Sequence, residues 1–397
     1  MRVPAEAYPM LAAVETHLPG LSRAQREGLV WWVYGAVLGG SACQAAVVTA
    51  LEPLVGVAGT AAVRRRLRAW GYAGADKDVP CRAEVTPAAC FAPLLGWVLA
   101  WWHGETLPLA VDATALSDRL VVLAVSVLYR DTAIPVAWHV TEATRPGSWI
   151  DPLAAWLAAL APAVPSTQTV VVAADRGLWS PRLWDAIRSH GWHPLLRIQA
   201  TAVFRPRGGK RGRAAALAPG PGHAWVGRGT AFTDAPRRKD ATLIVTWAAD
   251  QAAPCLVLTD LAPEAVDPCW YGLRAWIELG FRTLKSGGWH WERTRRGDPD
   301  RVARHWLVLA VATLWVVATG TRVEDAERWG RPPANLRVAV PPPRDPAPAR
   351  VASVFARGLA RVRWQLVRVR RLWSRIWLWP DAWPGAPPDL DIVRWPR

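Results

Sequence analysis

Two apolar runs that each carry a single aspartate constrain this chain most. Leu107-Pro-Leu-Ala-Val-Asp-Ala-Thr holds Asp112, and Thr169-Val-Val-Val-Ala-Ala-Asp ends on Asp175. Runs this short, apolar and β-branched read as strands, and a third, Leu120 to Tyr129, is nearly all apolar from Val121 to Leu128, as a strand covered on both faces would be. Two more strands are expected over Ala133–Val140 and Pro194–Ile198, with helices over Asp151–Leu160 and Pro181–Ser189. Three strands in succession, then strand alternating with helix, predict an α/β domain with a mixed sheet and helices on both faces. An unpaired carboxylate inside such a sheet costs several kcal/mol, roughly, so each aspartate needs a partner, a cation or a strand end open to a cleft. The plain alternative for each is a strand-terminal Asp making a local turn.

Around this centre the texture changes several times. Residues 1–104 read as a helical region, expected to bind DNA ends, with helices over Gln25–Leu38, Ala42–Leu54 and Ala61–Trp70. The last carries Arg64, Arg65, Arg66 and Arg68, either a solvated face or a DNA contact. Residues 105–198 hold the strands and helices above. Residues 199–265 interrupt them with a basic loop, Arg205 to Arg213, and short strand-like runs, an all-β insertion. Helices return over 266–328, at about Trp270–Lys285 and Arg301–Thr319. Residues 329–348 are rich in proline and read as a linker. In 349–397, Arg350 to Arg375 contains eight arginines and no acid, with apolar residues at steps of three and four, so an Arg-coated amphipathic helix is expected there. Its Arg357, Arg361, Arg368 and Arg371 are candidate contacts to a DNA backbone, against the plainer reading of a solvated helix.

Charge narrows the partner. The chain carries 48 Lys+Arg against 32 Asp+Glu, a net +16, and only four of the cations are lysines. A soluble protein this basic suits a polyanion, nucleic acid first. Five cysteines without paired spacing argue against zinc fingers and a disulfide framework and fit a reducing cytoplasm. The most membrane-like run, Trp306–Thr319, falls short of the roughly 20 residues needed to span a bilayer, so a core helix is expected and no membrane partner.

The third acid is Glu278. Advancing about 100° per residue from Tyr271 places Arg274, Glu278 and Lys285 within a stripe about 60° wide, well away from Leu273, Ile277 and Leu284. A carboxylate flanked by Arg, Lys and Tyr suits a divalent cation beside a phosphate. A salt-bridged surface stripe is the plainer alternative.

Tyr271, Arg274, Glu278 and Lys285 spell Y-x2-R-x3-E-x6-K, which resembles the signature of bacterial insertion-sequence transposases of the DDE type. Asp112-Ala-Thr114 looks like that family's first acidic motif and Asp175-Arg-Gly177 like its second, with Glu278 as the third acid. Asp112 and Asp175 are 63 positions apart, and Asp175 and Glu278 are 103, room for the family's β-rich insertion. The resemblance covers about residues 20 to 325. It implies a ribonuclease-H-like mixed sheet flanked by helices, interrupted by the all-β insertion, with helical N- and C-terminal regions.

It also implies that Asp112, Asp175 and Glu278 hold two Mg²⁺, for which Mn²⁺ can substitute, and catalyse cut-and-paste strand cleavage and transfer at terminal inverted repeats. Arg274, Lys285 and Tyr271 would grip strand phosphates, and Arg176 is a further candidate by position. The partners implied are double-stranded DNA, as element ends and target, and a second copy of the chain on paired ends, in a bacterial cytoplasm at the nucleoid. The sequence departs from the family at Cys255, just before Leu256-Val-Leu-Thr259, where well-studied relatives place a Trp that stacks on a flipped base; Trp247 on the preceding strand is the candidate substitute. Two functions stay open beside transposition: a DNA-binding remnant that does not cleave, and a structure-specific nuclease of the same fold.

Overall fold

The computed structural model describes residues 3–77, 83–144, 149–232, 234–235, 237–329 and 350–395. Nearly all of the expected linker, 329–348, lies outside them.

The chain begins with α1 (Tyr8–His17) and α2 (Arg23–Gly39), the second opened by a capping box in which Ser22 and Gln25 satisfy each other's backbone N–H groups. Next comes α3 (Gln44–Trp70), bent at Gly56, where φ is 68°. That left-handed conformation costs glycine little and splits the element into two helices. Gly28 and Gly35 of α2 let it pack tightly on both halves, against Trp70 on one side and Val47 and Leu51 on the other. After α4 (Phe91–Trp101) the sheet starts with β1 (Thr106–Leu116), β2 (Leu120–Tyr129) and β3 (Thr132–Glu142). It continues through α5 (Ile150–Leu160), β4 (Thr169–Ala174), α6 (Pro181–Arg188) and β5 (His193–Arg197), each within two residues of its expected bounds.

The region read as an insertion contains β6 (Val203–Pro206), β7 (Gly212–Arg213), β8 (His223–Ala231), β9 (Lys239–Trp247) and β10 (Cys255–Thr259). The segment expected as a loop, Arg205–Arg213, is therefore a small hairpin in which Val203 pairs with Arg213. These strands form no separate body. β10 pairs antiparallel with β5, giving one sheet in the order β3-β2-β1-β4-β5-β10-β9-β8-β6-β7. Within it β1, β4 and β5 are parallel neighbours, and β2 runs antiparallel to β1 and β3.

The chain then forms α7 (Ala275–Leu284) and α8 (Pro299–Trp329). Among the described residues two elements, α3 and α8, are long and apolar enough to cross a membrane, but α3 is broken at Gly56 and the apolar window of α8 is 89% buried against its own protein, as a core helix is. These two helices do not indicate a membrane protein. Much of the unusual tryptophan content fills this core: Trp31, Trp32, Trp97, Trp289, Trp291, Trp306 and Trp315 are all fully buried.

At the C-terminus, α9 (Val354–Val367) lies against α8 where Gly358 faces Gly320, so closely that a Cβ on either would strike the opposite backbone. The expected helix to Arg375 stops at Val367. Beyond it Leu372, Ile376 and Leu378 turn inward, and β11 (Asp391–Arg394) adds to β8 in parallel. Its arginines divide accordingly. Arg350 pairs with Asp131, Glu324 and Asp381, and Arg357 with Glu327 and Glu324. Arg361 stacks between Trp364 and Trp373, while Arg368 and Arg371 are exposed. The expected Arg-coated face is thus partly an inward ion-pair network. Its hub is buried Arg130, which reaches Asp325 at 2.9 Å, Glu324 at 3.1 Å and Asp381 at 3.3 Å.

Candidate functional site

Strand register brings the two aspartates together. The parallel pairing of β1 with β4 ends at Val111 and Ala174, so Asp112 and Asp175 are each the next residue on adjacent parallel strands. β1 continues along β2, with Asp112 opposite Ala124, while β4 stops and leaves its end open. Both carboxylates therefore stand where the central sheet loses a strand, Asp175 just past the carboxyl end of β4 and Asp112 level with it within β1, and strand carboxyl ends are the usual place for sites in open sheets.

Glu278 comes from α7, which packs across β1, β2 and β3. Gly280 allows this, since a Cβ there would meet Ala133 of β3. The expected continuous helix from Trp270 is instead a tight 3₁₀ turn, Trp270–Arg274, leading into the α-helix at Ala275. Tyr271 thus precedes the α-helix, and Lys285 follows its last residue with a non-helical backbone.

The tighter turn still delivers two of the expected neighbours. Arg274 places one guanidinium nitrogen 2.7 Å from Asp112 and pairs through another with Glu278. The Tyr271 hydroxyl donates to the Ala174 carbonyl at 3.3 Å and lies 3.4 Å from an Asp175 oxygen. Lys285 stands apart: the acid it feels is Glu292, and burial lowers its pKa. Arg176 is exposed beside Asp175.

Sequence reasoning missed Arg197, whose guanidinium approaches Asp175 to 3.5 Å from the end of β5. A lone arginine closing an apolar strand, next in order to the strand ending on Asp175, was the available signal. Cys255 also feels the charges of Asp175 and Arg197, and burial raises its thiol pKa. Trp247 is half-buried and donates its indole N–H to the Gln251 carbonyl at 2.9 Å. No contact among the described residues joins it to the acids.

Charges at the site interlock. Burial pushes the Asp112 carboxyl above its ordinary range, an effect that Arg274 opposes and Glu278 reinforces. Burial would lower the Arg274 pKa, but Asp112, Tyr271, Asp175 and Glu278 together raise it, so the guanidinium stays charged. Burial and Asp175 also keep the Tyr271 phenol protonated. Arg274 is only 15% exposed, whereas Glu278 is 59% exposed.

Two carboxylates, Asp112 and Glu278, meet at the Arg274 guanidinium, and Asp175 is near enough for its charge to act on it; carboxylate oxygens are hard donors of the type that divalent cations take. Among the described residues no three acids, histidines or cysteines gather closely enough to hold an ion, and Arg274 separates Asp112 from Glu278. The donors fit a divalent cation in kind, provided Arg274 swings aside.

No curated protein matches the chain. Residues 135–315 match the family model described as a transposase DDE domain. That stretch holds Asp175, Tyr271, Arg274, Glu278 and Lys285, begins after Asp112, and over its length the chain is similar to a DDE transposase.

Proposed function

We propose that the protein is a metal-dependent DNA transposase, which excises its own element at terminal inverted repeats and joins the ends to target DNA. The observation that carries this reading is the level placement of Asp112 and Asp175 on adjacent parallel strands, with Glu278 joined to Asp112 through Arg274. The order β3-β2-β1-β4-β5, with the first two strands antiparallel, supports a ribonuclease-H-like centre.

Asp112, Asp175 and Glu278 would hold two Mg²⁺, or Mn²⁺ in their place. Bound there, the ions supply positive charge that acidifies an attacking water or 3′-hydroxyl and offsets charge on the leaving oxygen. The chain's own groups do the rest. Arg274, released from its carboxylates, can turn both N–H pairs onto a phosphate, which a planar guanidinium binds in bidentate fashion. Tyr271, kept neutral, donates a hydrogen bond and holds the Asp175 carboxylate at the strand end. Arg197 balances Asp175 from the other side, and Arg176 offers an exposed cation to the incoming strand.

A non-cleaving DNA-binding protein is the second reading, favoured by the neutralisation of Asp112 and Glu278 by Arg274. The test is incubation of the full chain and Mg²⁺ with DNA carrying the sequences that flank its reading frame, plus a target plasmid. Joined products support transposition. Cutting without joining identifies a nuclease, and retention without cutting identifies the binding protein.

A further inference from the structure

Tyr271 and Arg274, which reach the acids, are both delivered by one five-residue 3₁₀ turn, Trp270–Arg274. Hydrogen-bond geometry in a 3₁₀ helix is poor and a run this long is uncommon, so the turn draws its precision from what packs against it. On its inner side buried Leu273 holds it to the core. On its outer side it is held by the far end of the chain.

Past α9 the chain crosses the protein between two anchors. At the first, the Trp379 N–H donates to the Tyr129 hydroxyl at 2.9 Å, and Asp381 is locked into the Arg130 network. At the second, β11 pairs with β8, and the Trp395 indole donates to the Arg207 carbonyl at 2.9 Å. Three contacts from this stretch fall on the segment that leads into the turn. The Trp383 ring meets the Trp270 ring edge-on, with centroids 4.8 Å apart. The Ala386 N–H donates to one Asp267 carboxylate oxygen at 3.1 Å, while the other oxygen accepts from the Cys269 N–H at 2.8 Å. The Arg394 guanidinium donates to the Pro263 and Val266 carbonyls. The Asp267 carbonyl also accepts from the Trp270 N–H at 3.1 Å, so Asp267 both starts the turn and ties it to the C-terminal stretch.

We propose that residues 379–395 form a strap that positions Tyr271 and Arg274 for strand cleavage, with Asp267 and Trp383 as its positioning residues. Among the described residues no hydrogen bond, ion pair or ring contact joins either of them to Asp112, Asp175 or Glu278, so their effect passes through the turn. Tyr271 reaches the Ala174 carbonyl at 3.3 Å and Asp175 at 3.4 Å, and Arg274 reaches Asp112 at 2.7 Å. A shift of the turn by about 1 Å would break these contacts, and misplacement on that scale costs on the order of 10²-fold in rate. Trp270 and Trp383 are both half-buried, so truncating Trp383 removes a contact near the surface rather than one from the central core.

The inference rests on the proposed DNA cleavage, and its test reads the turn and the chemistry separately. Backbone hydrogen exchange of the DNA-free full chain is compared among the unaltered protein, Trp383→Ala and Trp383→Phe. In Trp383→Ala the amides of residues 270–274 should exchange at least about tenfold faster while those of α8 stay unchanged, as local opening predicts. Trp383→Phe keeps an aromatic edge and should restore most of the protection. Asp267→Asn can accept only one of the two N–H groups and should loosen the same residues by itself.

With Mg²⁺ and end-bearing DNA, Trp383→Ala should lower kcat by roughly tenfold to 10²-fold and leave KM within about twofold. In a background already carrying Tyr271→Phe and Arg274→Ala, adding Trp383→Ala should slow cleavage by less than about twofold, because the groups that the strap positions are gone. A full further loss in that background would overturn the proposal, as would exchange in the turn that is unchanged or is matched by equal loosening of α8. If the unaltered protein cuts no DNA, the cleavage reading fails, and the exchange data still decide whether the strap holds the turn. Cutting by the unaltered protein, with exchange in the turn unmoved by Trp383→Ala, would uphold cleavage and sink the strap.

Discussion

The Arg274 guanidinium lies 2.7 Å from the Asp112 carboxylate and pairs at the same time with Glu278, one helical turn onward. A cation supplied by the chain thus already occupies the space between two of the three acids. Removing it should have opposite effects on metal binding and on chemistry. Arg274→Ala leaves two carboxylates facing each other without a counter-charge, so Mn²⁺ binding followed by calorimetry should be retained or tightened. Strand cleavage should fall on the order of 10²-fold, the usual loss when a group that stabilises transition-state charge is removed. Arg274→Lys should not rescue it, because an ammonium cannot make the bidentate contact. Unimpaired cleavage by Arg274→Ala would show that the guanidinium never leaves its carboxylates for phosphate.

A second relationship fixes the C-terminal region. Burial would raise the Asp381 pKa, but Arg130 and Arg350 outweigh it and hold the carboxyl below its ordinary value of 3.8. A carboxylate depressed in the folded state adds stability above its unfolded pKa and loses it as pH falls through the folded one. Asp381→Asn should therefore cost about 3–5 kcal/mol near neutral pH, as breaking a buried pair does. The gap from the unaltered protein should shrink only below pH 3.8. Denaturant melts across pH measure it, and a gap that closes well above pH 4 would mean that Asp381 is not the depressed group.

The C-terminal arginines should separate into two classes. Arg357→Ala and Arg361→Ala remove an ion pair and a guanidinium stacked between two tryptophans, so they should lower the melting temperature. Arg368→Ala and Arg371→Ala alter exposed side chains and should leave it unchanged. If these two touch the DNA backbone, their loss flattens the salt dependence of binding by roughly 0.9 each. An equal loss of stability in all four would contradict this division.

Much of the sheet that carries Asp112 and Asp175 was legible because its signals are local. Apolar β-branched runs marked β1, β2 and β4 to within a few residues, and an acid at each apolar run marked Asp112 and Asp175. Strand order and register were not legible. They decide that Asp112 and Asp175 stand level, and that β10 joins β5 to make one sheet. The stripe from Tyr271 to Lys285 assumed one helical period throughout. A 3₁₀ turn at one end and termination at the other break that period, which sends Lys285 toward Glu292 while Arg274 still reaches Asp112. Arg350 and Arg357 read as surface charge because their partners, Asp131, Glu324 and Asp381, are distant in sequence or on another element.

The central claim is that Asp112, Asp175 and Glu278 act together, and Glu278→Gln tests it most directly. The substitution keeps shape and hydrogen-bonding capacity and removes the charge that would hold a cation. Cleavage of end-bearing DNA is followed while Mg²⁺ is titrated, with binding to the same DNA measured in parallel. The account predicts no nicking and no strand transfer at any Mg²⁺ concentration, with end binding unchanged or slightly tighter. Cleavage by Glu278→Gln at a rate near that of the unaltered protein would contradict it.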